Sequence, residues 1–228
     1  MSKRIKKPVV NLDGHKFLRI WVKTHIITEK DDIINVVQSY TNSKLQPGDI
    51  VTIAESVVAI TQGRAIPITQ IKPGLLARIL WRFVRKVPYG IGLRSPFSMQ
   101  CAIQEIGRFR ILTAAFISAF TKLLKRRGDF YKIAGKQAAM IDAAHTSGVK
   151  EFYECVILGP KNPELEAEKI SQKINHPVAI VDANDVAGCW VVGAAKGLNT
   201  QLVEKIMSDN PAGQDDSLTP IIIIRKMD

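Results

Sequence analysis

Three aspartates of this chain have the type and the spacing that metal chemistry needs. Asp182 and Asp185 follow the apolar run at residues 178–181, and Asp142 follows the run "AAMI". Magnesium and manganese prefer oxygen ligands and usually bridge one or two protein carboxylates to nucleotide phosphates. Because ligands of α/β sheets bind outside the carboxyl ends of the strands, acids at strand ends are well placed for such a cation. Asp and Asn also start turns and cap helices, and the spacing alone favours that second interpretation.

The motifs of the commoner enzyme classes do not occur in the sequence. It contains neither the glycine-rich loop of P-loop proteins nor G-x-G-x-x-G. The histidines belong to no nucleophile motif, and no G-x-S-x-G occurs. The three cysteines lie far apart without a C-x-x-C pair, so the sequence contains neither a zinc knuckle nor a redox couple. We therefore assign no catalytic residue from the sequence.

A large surplus of basic residues indicates an anionic partner. The chain has 32 Lys and Arg against 21 Asp and Glu, and its net charge of +11 attracts the phosphates of nucleotides, nucleic acid or lipid headgroups. Residues 1–14 form a basic N-terminal tail that lacks the apolar stretch of a secretion signal, and the longest apolar runs are too short to span a bilayer. We expect a cytoplasmic protein without a membrane span. We identify no stacking platform in the sequence, so nucleic acid is the less favoured partner.

Apolar patterns predict a mixed α/β (α+β) fold with a mixed sheet covered by helices. Residues 17–27 alternate and are β-branched, as in a strand, and residues 28–41 suggest a helix that Thr28 caps. A strand to about Ala54 is followed by a second strand or by a helix. The last third indicates strand, helix, strand, helix and a terminal buried strand, "TPIIIIRK". This order is typical of a sheet that packs against helices.

Two long helices are predicted in the middle of the chain, one between Pro73 and Pro88 and one over residues 99–127. In the first, apolar residues recur at spacings of three and four: Leu76, Ile79, Leu80, Phe83 and Val87. Arginines lie among them, so the apolar side can rest either on the core, with the arginines in water, or on an anionic membrane surface. We favour the core, because that is how most amphipathic helices of globular proteins pack.

The stretch "VKTHIITEKDDIINVV", followed by "LQPGDIVTIAESVVAITQGRAIPI", resembles the N-terminal signature of the coenzyme F-420:L-glutamate ligase family, the gamma-glutamyl ligases of the deazaflavin coenzyme. Within it, "THIITEKDD" and "GDIVTIAESVVAITQGR" match the order, spacing and apolar framework of the family signature. The later "VAIVDANDVAGCWVVGAA" is similar to a family segment in which an aspartate follows a strand. The resemblance spans about residues 17–225.

The resemblance implies the fold of that family, a mixed α/β arrangement that forms an intertwined homodimer. Residues 15–228 would form a single gamma-glutamyl-ligase-like domain, or two interlocked subdomains of about residues 15–135 and 136–228. The resemblance also implies a ligase that uses GTP, or alternatively ATP, together with Mg²⁺ or Mn²⁺. Such an enzyme joins an amino acid, glutamate, to a small-molecule carboxylate acceptor through an acyl phosphate.

The resemblance also assigns site residues by position. The backbone of four consecutive residues would line the nucleotide: Thr24, His25, Ile26 and Ile27. Glu55 and Ser56 would lie beside the nucleotide. Asp182 would hold the metal with Asp185 near it, and Asp142 would take the place of the family's first metal aspartate.

The chain departs from the family pattern at several positions. Ile60 stands where the family has a lysine, Gln62 stands where it has an acid, and the arginines of the later segment are absent. We assign Arg64 to the nucleotide as a replacement, with three further candidates: Arg94, Arg108 and Arg110. The alternative hypothesis is a non-catalytic protein that retains the ligase fold and binds a nucleotide or another ligand.

Overall fold

The computed structural model describes residues 7–84, 92–123, 129–184, 188–213 and 216–227. The chain divides into two units. The first unit comprises the residues up to Gln62 and those from Pro160 onward, and the second unit comprises residues 63–159. Helices make up 42% and strands 22% of the structure, in a curled mixed sheet with helices around it, which confirms the predicted fold class.

Strands and helices follow one another along most of the chain. In chain order the strands are β1 (Val9–Leu12), β2 (His15–Val22), β3 (Ile50–Ala54), β4 (Ala65–Pro67), β5 (Cys155–Ile157), β6 (Val178–Asn184), β7 (Gly188–Ala194) and β8 (Ile221–Met227). The α-helices are α1 (Ile33–Thr41), α2 (Glu55–Thr61), α3 (Leu75–Leu80), α4 (Pro96–Ile106), α5 (Arg108–Leu123), α6 (Asp129–Ala134), α7 (Lys136–Ala139), α8 (Pro163–Ile174) and α9 (Thr200–Ile206). Short 3-10 turns occur at Ile68–Gln70, Trp81–Phe83 and Lys150–Phe152.

A six-stranded sheet in the order β1-β2-β8-β3-β6-β7 organises the first unit. β3 and β6 are parallel, and the other neighbouring strands are antiparallel. β8 lies between β2 and β3, and its first four residues, all isoleucine, are buried. A continuous apolar run suits a strand that is covered on both faces. The predicted buried terminal strand is therefore confirmed.

Helices pack against both faces of this sheet. On one face, Ala179 and Val181 of β6 lie in a core cluster with Ile206 of α9. On the other, α8 approaches β7 so closely that a Cβ atom at Gly193 would lie 2.4 Å from the carbonyl carbon of Pro163. Because no side chain fits in that space, the close packing of α8 on the sheet depends on this glycine.

The second unit consists mainly of helices around a core of its own. Side chains that point inward include Met99 and Ala102 of α4 and Ile111 and Ala114 of α5. β4 and β5 form a small antiparallel pair beside them. No helix in the ranges given above is long and apolar enough to cross a membrane.

The start of α1 differs from the prediction. Asp32, not Thr28, caps the helix, because Asp32 Oδ1 accepts a hydrogen bond from the Asn35 amide at 2.9 Å. Thr28 lies further upstream, where its amide and hydroxyl groups both donate to Asp31 Oδ2. Both residues are competent caps, so the sequence did not distinguish them.

The two long helices of the middle segment are shorter than predicted. α3 ends at Leu80 and is followed by a 3-10 turn, and residues 85–91 lie outside the described residues. The described part of the predicted helix over residues 99–127 is two helices, since Gly107 adopts φ +88° and ends α4 before α5 begins, and residues 124–127 lie outside the described residues. Such a left-handed conformation is one that glycine adopts at no steric cost.

The apolar side of α3 is divided between the core and the solvent. Leu76 and Leu80 pack against the core of the second unit, as predicted. Ile79 and Phe83, which share the helical spacing, are exposed instead, and Phe83 keeps 77% of its surface accessible. The prediction that the whole apolar side rests on the core was therefore wrong, because α3 ends at Leu80 and the core of the second unit covers only part of the predicted apolar side.

Candidate functional site

Two acidic residues follow the end of the parallel strand pair in the first unit. The last parallel pair along β3 and β6 joins Ala54 to Val181. The next residues are Glu55, the first residue of α2, and Asp182, which lies within β6, so both lie at the carboxyl end of the parallel pairing. This is the edge of an α/β sheet at which ligands usually bind.

Asp182 lies within a strand and does not end one. β6 continues to Asn184, and Asp182 pairs with Trp190 of β7 across the hairpin. Burial raises the pKa of Asp182 above the ordinary carboxyl value. Among the described residues, none forms a hydrogen bond or an ion pair with its carboxylate. Asp182 is therefore a desolvated carboxylate whose charge lacks a local counterpart in this part of the chain.

Glu55 and Ser56 open α2 at the same edge of the sheet. The Glu55 side chain is buried, with 6% of its surface exposed, and Ser56 is half-buried. A carboxylate is seldom buried to this extent unless it has polar or ionic partners. Glu55 and Asp182 are thus two acids that the β3–β6 pairing brings to one end of the sheet.

In the segment from Thr24 to Ile27, only some of the backbone groups form hydrogen bonds with other described residues. The Thr24 amide donates to the Leu218 carbonyl at 2.9 Å, and the Thr24 hydroxyl donates to the His25 carbonyl at 2.8 Å. The amide and carbonyl groups of Ile26 and Ile27 have no hydrogen-bond partner among the residues that the structure describes. Backbone groups normally have hydrogen-bond partners, so these groups are available to a ligand that can reach them, although Ile27 is buried.

His25 is held by two residues that the sequence did not point to. Its Nδ1 lies 2.9 Å from the Tyr40 hydroxyl oxygen, and its Nε2 lies 3.0 Å from Asp31 Oδ1. The hydrogen bonds that Asp31 accepts from the Thr28 amide and from His25 hold the pKa of the Asp31 carboxyl below its usual value. This network fixes the conformation of the segment. No recognisable motif joins these residues, since Asp31 lies in the turn before α1 and Tyr40 lies near the end of that helix.

Arg64 forms its hydrogen bonds with residues of the second unit. The arginine is buried, its Nε donates to the Gly159 carbonyl at 2.6 Å, and its Nη2 lies 2.7 Å from Glu105 Oε1. Arg110 likewise donates to the Ile133 carbonyl. The two other arginines considered as replacements remain more accessible: Arg94, which is half-buried, and Arg108, which is exposed.

The structure does not place the three predicted metal aspartates in a single unit. Asp142 lies in the second unit, is exposed, and pairs through its backbone with Ile157. Asp182 lies in the first unit, and Asp185 falls outside the described residues. Within those described, no group of three or more His, Cys, Asp or Glu side chains that could hold a metal ion occurs. Asp182 and Glu55 are the acids that the sheet brings together.

Comparison with known protein families gives a match over most of the chain. The model of a family described as F420-0:Gamma-glutamyl ligase matches residues 21–184, which include the Thr24–Ile27 segment, Glu55 and Asp182. A search of curated proteins finds no match.

Proposed function

Since the chain belongs to the F420-0:gamma-glutamyl ligase family, we propose that it is a GTP- and metal-dependent ligase that joins glutamate to a carboxylate acceptor. Gamma-glutamyl ligase activity in general is what membership of the family implies. The proposal that the enzyme depends on GTP and a metal rests on the position of Glu55 and Asp182 beyond the last parallel pair of β3 and β6. Acids at this edge suit a site for a cation and for the phosphates that the cation accompanies.

The proposed reaction needs no nucleophile from the protein. The acceptor carboxylate attacks the γ-phosphorus of GTP, and GDP leaves, so that an acyl phosphate forms. The amine of glutamate then attacks the acyl carbon, loses a proton and displaces inorganic phosphate. Catalysis of this kind rests on neutralising charge and aligning the reactants. A sequence without a nucleophile motif is consistent with such a reaction.

The properties of Asp182 fit a divalent cation. Its carboxylate is desolvated, and within the described residues no cationic side chain pairs with it, so a bound cation would compensate its charge. Oxygen donors of this type are the ones that Mg²⁺ and Mn²⁺ prefer. We propose that Asp182 holds the metal, with Glu55 beside it. A bound cation would supply neutralisation of phosphate charge.

The backbone of Ile26 and Ile27 supports the nucleotide part of the proposal. Their amide and carbonyl groups lack partners in the described ranges and could bind the base or the ribose, whereas Thr24 and His25 hold the segment in place. Arg64 already forms hydrogen bonds with Gly159 and Glu105, and we therefore propose that it stabilises the second unit and does not contact the phosphates.

Titration calorimetry of GTP with Mn²⁺ tests the proposal. Wild type should bind, with ATP as the comparison nucleotide, and Asp182→Asn should bind at least tenfold more weakly. Asp13→Asn is the matched control: this exposed aspartate of the same unit lies at φ +49°, which asparagine tolerates. Equal binding by wild type and Asp182→Asn would remove Asp182 from the metal site, and no binding by wild type would refute the nucleotide proposal.

A binding protein without catalysis is the second candidate. Ile60 is buried where the family has a lysine, and Gln62 is engaged with the backbone of Lys161, to which it donates at 3.1 Å and from which it accepts at 2.7 Å. Neither residue can neutralise a phosphate. Phosphate release measured with GTP, glutamate and a panel of carboxylate acceptors separates the two candidates, because a binding protein would bind GTP without turnover.

We also propose, from the family resemblance, that the protein forms a homodimer. Light scattering during size-exclusion chromatography measures its mass directly. A mass of twice 25.3 kDa is the expected result.

A further inference from the structure

The outward side of α5 is unusually apolar for a helix that faces solvent. Phe109, Leu112, Phe116 and Phe120 follow one another at spacings of three and four, and we call these four side chains the α5 face. The three phenylalanines keep 89%, 77% and 60% of their surface exposed. Ile111 and Ala114, on the inward side of the helix, are completely buried in the core of the second unit. Ile111 and Ala114 thus form the contribution of α5 to the core, and the α5 face lies outside that core.

Other exposed apolar side chains gather in the same unit. Leu75, Ile79 and Phe83, in α3 and the turn that follows it, are exposed to between 43% and 77%. Among the described residues, the large apolar side chains exposed in the first unit are Leu165 and Met227. Single exposed apolar residues are normal on protein surfaces, whereas a contiguous stripe of phenylalanines marks an interaction surface.

The second unit also carries the whole net charge of the protein. Residues 63–159 contain 16 Lys and Arg against 5 Asp and Glu, whereas the rest of the chain contains 16 of each. The first unit, which holds Glu55 and Asp182, is therefore neutral overall. The positive charge that the sequence associates with phosphates coincides instead with the exposed apolar helices.

We propose that the second unit docks on an anionic phospholipid bilayer through the α5 face. Helices that lie in a membrane interface combine large apolar side chains, phenylalanine among them, with surrounding Lys and Arg that attract anionic headgroups. Arg108 is exposed at the start of α5 and supplies such a charge beside Phe109. The 16 residues of α5 measure about 24 Å, which is too short to span a hydrocarbon core of about 30 Å and suits a helix that lies in the interface.

The charge of the unit favours this partner over the others. A second copy docked through the α5 face would bring two strongly basic units together, and like charges oppose that contact, so the proposed homodimer would have to join other surfaces. Nucleic acid would use the basic side chains and could stack bases on the phenylalanines, but stacking makes no use of aliphatic side chains such as Leu112 and Ile117. A bilayer interface uses the aromatic, aliphatic and basic side chains alike.

Co-sedimentation of the full chain with vesicles tests the proposal. Wild type should bind equimolar phosphatidylcholine/phosphatidylglycerol vesicles and should bind pure phosphatidylcholine vesicles much more weakly. Each of Phe109→Ser and Phe116→Ser should weaken binding by about tenfold, because each removes an apolar side chain that the bilayer would bury. Arg108→Gln should weaken it by about fivefold at low salt. Leu165→Ser removes a comparably exposed apolar residue of the first unit and should bind like wild type.

Several results would overturn the proposal. Wild type that stays in the supernatant with anionic vesicles refutes it, as does Phe116→Ser that binds them as tightly as wild type. A wild-type dimer that Phe116→Ser converts to a monomer, without vesicle binding, would show that the face joins two copies. Binding of an oligonucleotide but not of vesicles would show that the basic residues of the second unit bind nucleic acid instead. Circular dichroism of each variant confirms that it is folded, and GTP titration remains an independent measurement.

Discussion

Asp182→Asn is expected to stabilise the metal-free protein and at the same time to remove its response to metal. The substitution keeps the size of the side chain and deletes one charge. Burial raises the pKa of Asp182, and no described residue compensates the ionised form by a hydrogen bond or an ion pair. The ionised carboxylate therefore lowers the stability of the folded state at neutral pH. We expect the free energy of unfolding to increase by about 1 kcal/mol in the variant, a typical gain when a functional group is replaced.

The pH dependence follows from the direction of the pKa shift. A carboxyl whose folded-state pKa lies above its unfolded value of 3.8 contributes stability that is fully present below that value. This contribution is lost as the pH rises through the folded-state pKa. The stability difference between Asp182→Asn and wild type, measured in EDTA, should therefore be largest at neutral pH and shrink as the pH falls toward about 4.

Metal should act on wild type in the opposite direction. Mn²⁺ at a hundred times its Kd stabilises a protein by about 2.7 kcal/mol, which corresponds to a rise in Tm of about 5–10 °C for a chain of this length. Scanning fluorimetry in EDTA and then in Mn²⁺ measures both effects, with Asp13→Asn as the control. Asp182→Asn should melt about 2–4 °C above wild type in EDTA and should gain little from Mn²⁺. A variant that melts below wild type in EDTA, or that keeps the full Mn²⁺ shift, would refute the reasoning.

Two further substitutions test the packing of the first unit. Arg225→Met should reduce the free energy of unfolding in urea by about 3 kcal/mol, because Arg225 donates to both oxygens of the fully buried Asp49 at 2.9 and 2.7 Å and its loss leaves that carboxylate without its cation. The Asp49→Asn/Arg225→Met double variant should recover part of the loss, and no recovery would contradict the explanation. Gly193→Ala should cost about 2 kcal/mol, since its Cβ would overlap the backbone at Pro163, and thermal melts identical to wild type would show that α8 can move away.

Elements defined by local pattern could be predicted from the sequence. The strand β8 is recognisable from its run of isoleucines, because a strand buried on both faces is apolar throughout. The helix α8 is recognisable from its amphipathic pattern, because only one of its sides is buried. The strand β7 was not predicted, because its residues Gly188–Ala194 include two glycines and are defined by their pairing with β6. That pairing also places Asp182 inside a strand, where the sequence suggested a strand end.

The candidate site was predictable in its parts but not in its arrangement. Family resemblance pointed to Glu55 and Asp182 separately, and only the parallel register of Ala54 with Val181 shows that they share one end of the sheet. Periodicity predicted a helix between Pro73 and Pro88 and gave its apolar residues, but it could not show that the α-helix ends at Leu80 or which of these side chains pack against the core. Exposure of Phe83 depends on the helices that pack nearby, which a local pattern does not contain.

The distribution of charge separates two features that the sequence alone would join. A net charge of +11 in a chain that resembles a GTP-dependent ligase suggests that the basic residues serve the nucleotide. In the structure, Glu55 and Asp182 lie in a unit whose charges balance, whereas the excess belongs to residues 63–159 with their exposed phenylalanines. A cation held by Asp182 would compensate the negative charge of the phosphates locally, without the surplus of the second unit. The surplus therefore requires a second explanation, and an anionic surface that also accepts apolar side chains accounts for both its sign and its position.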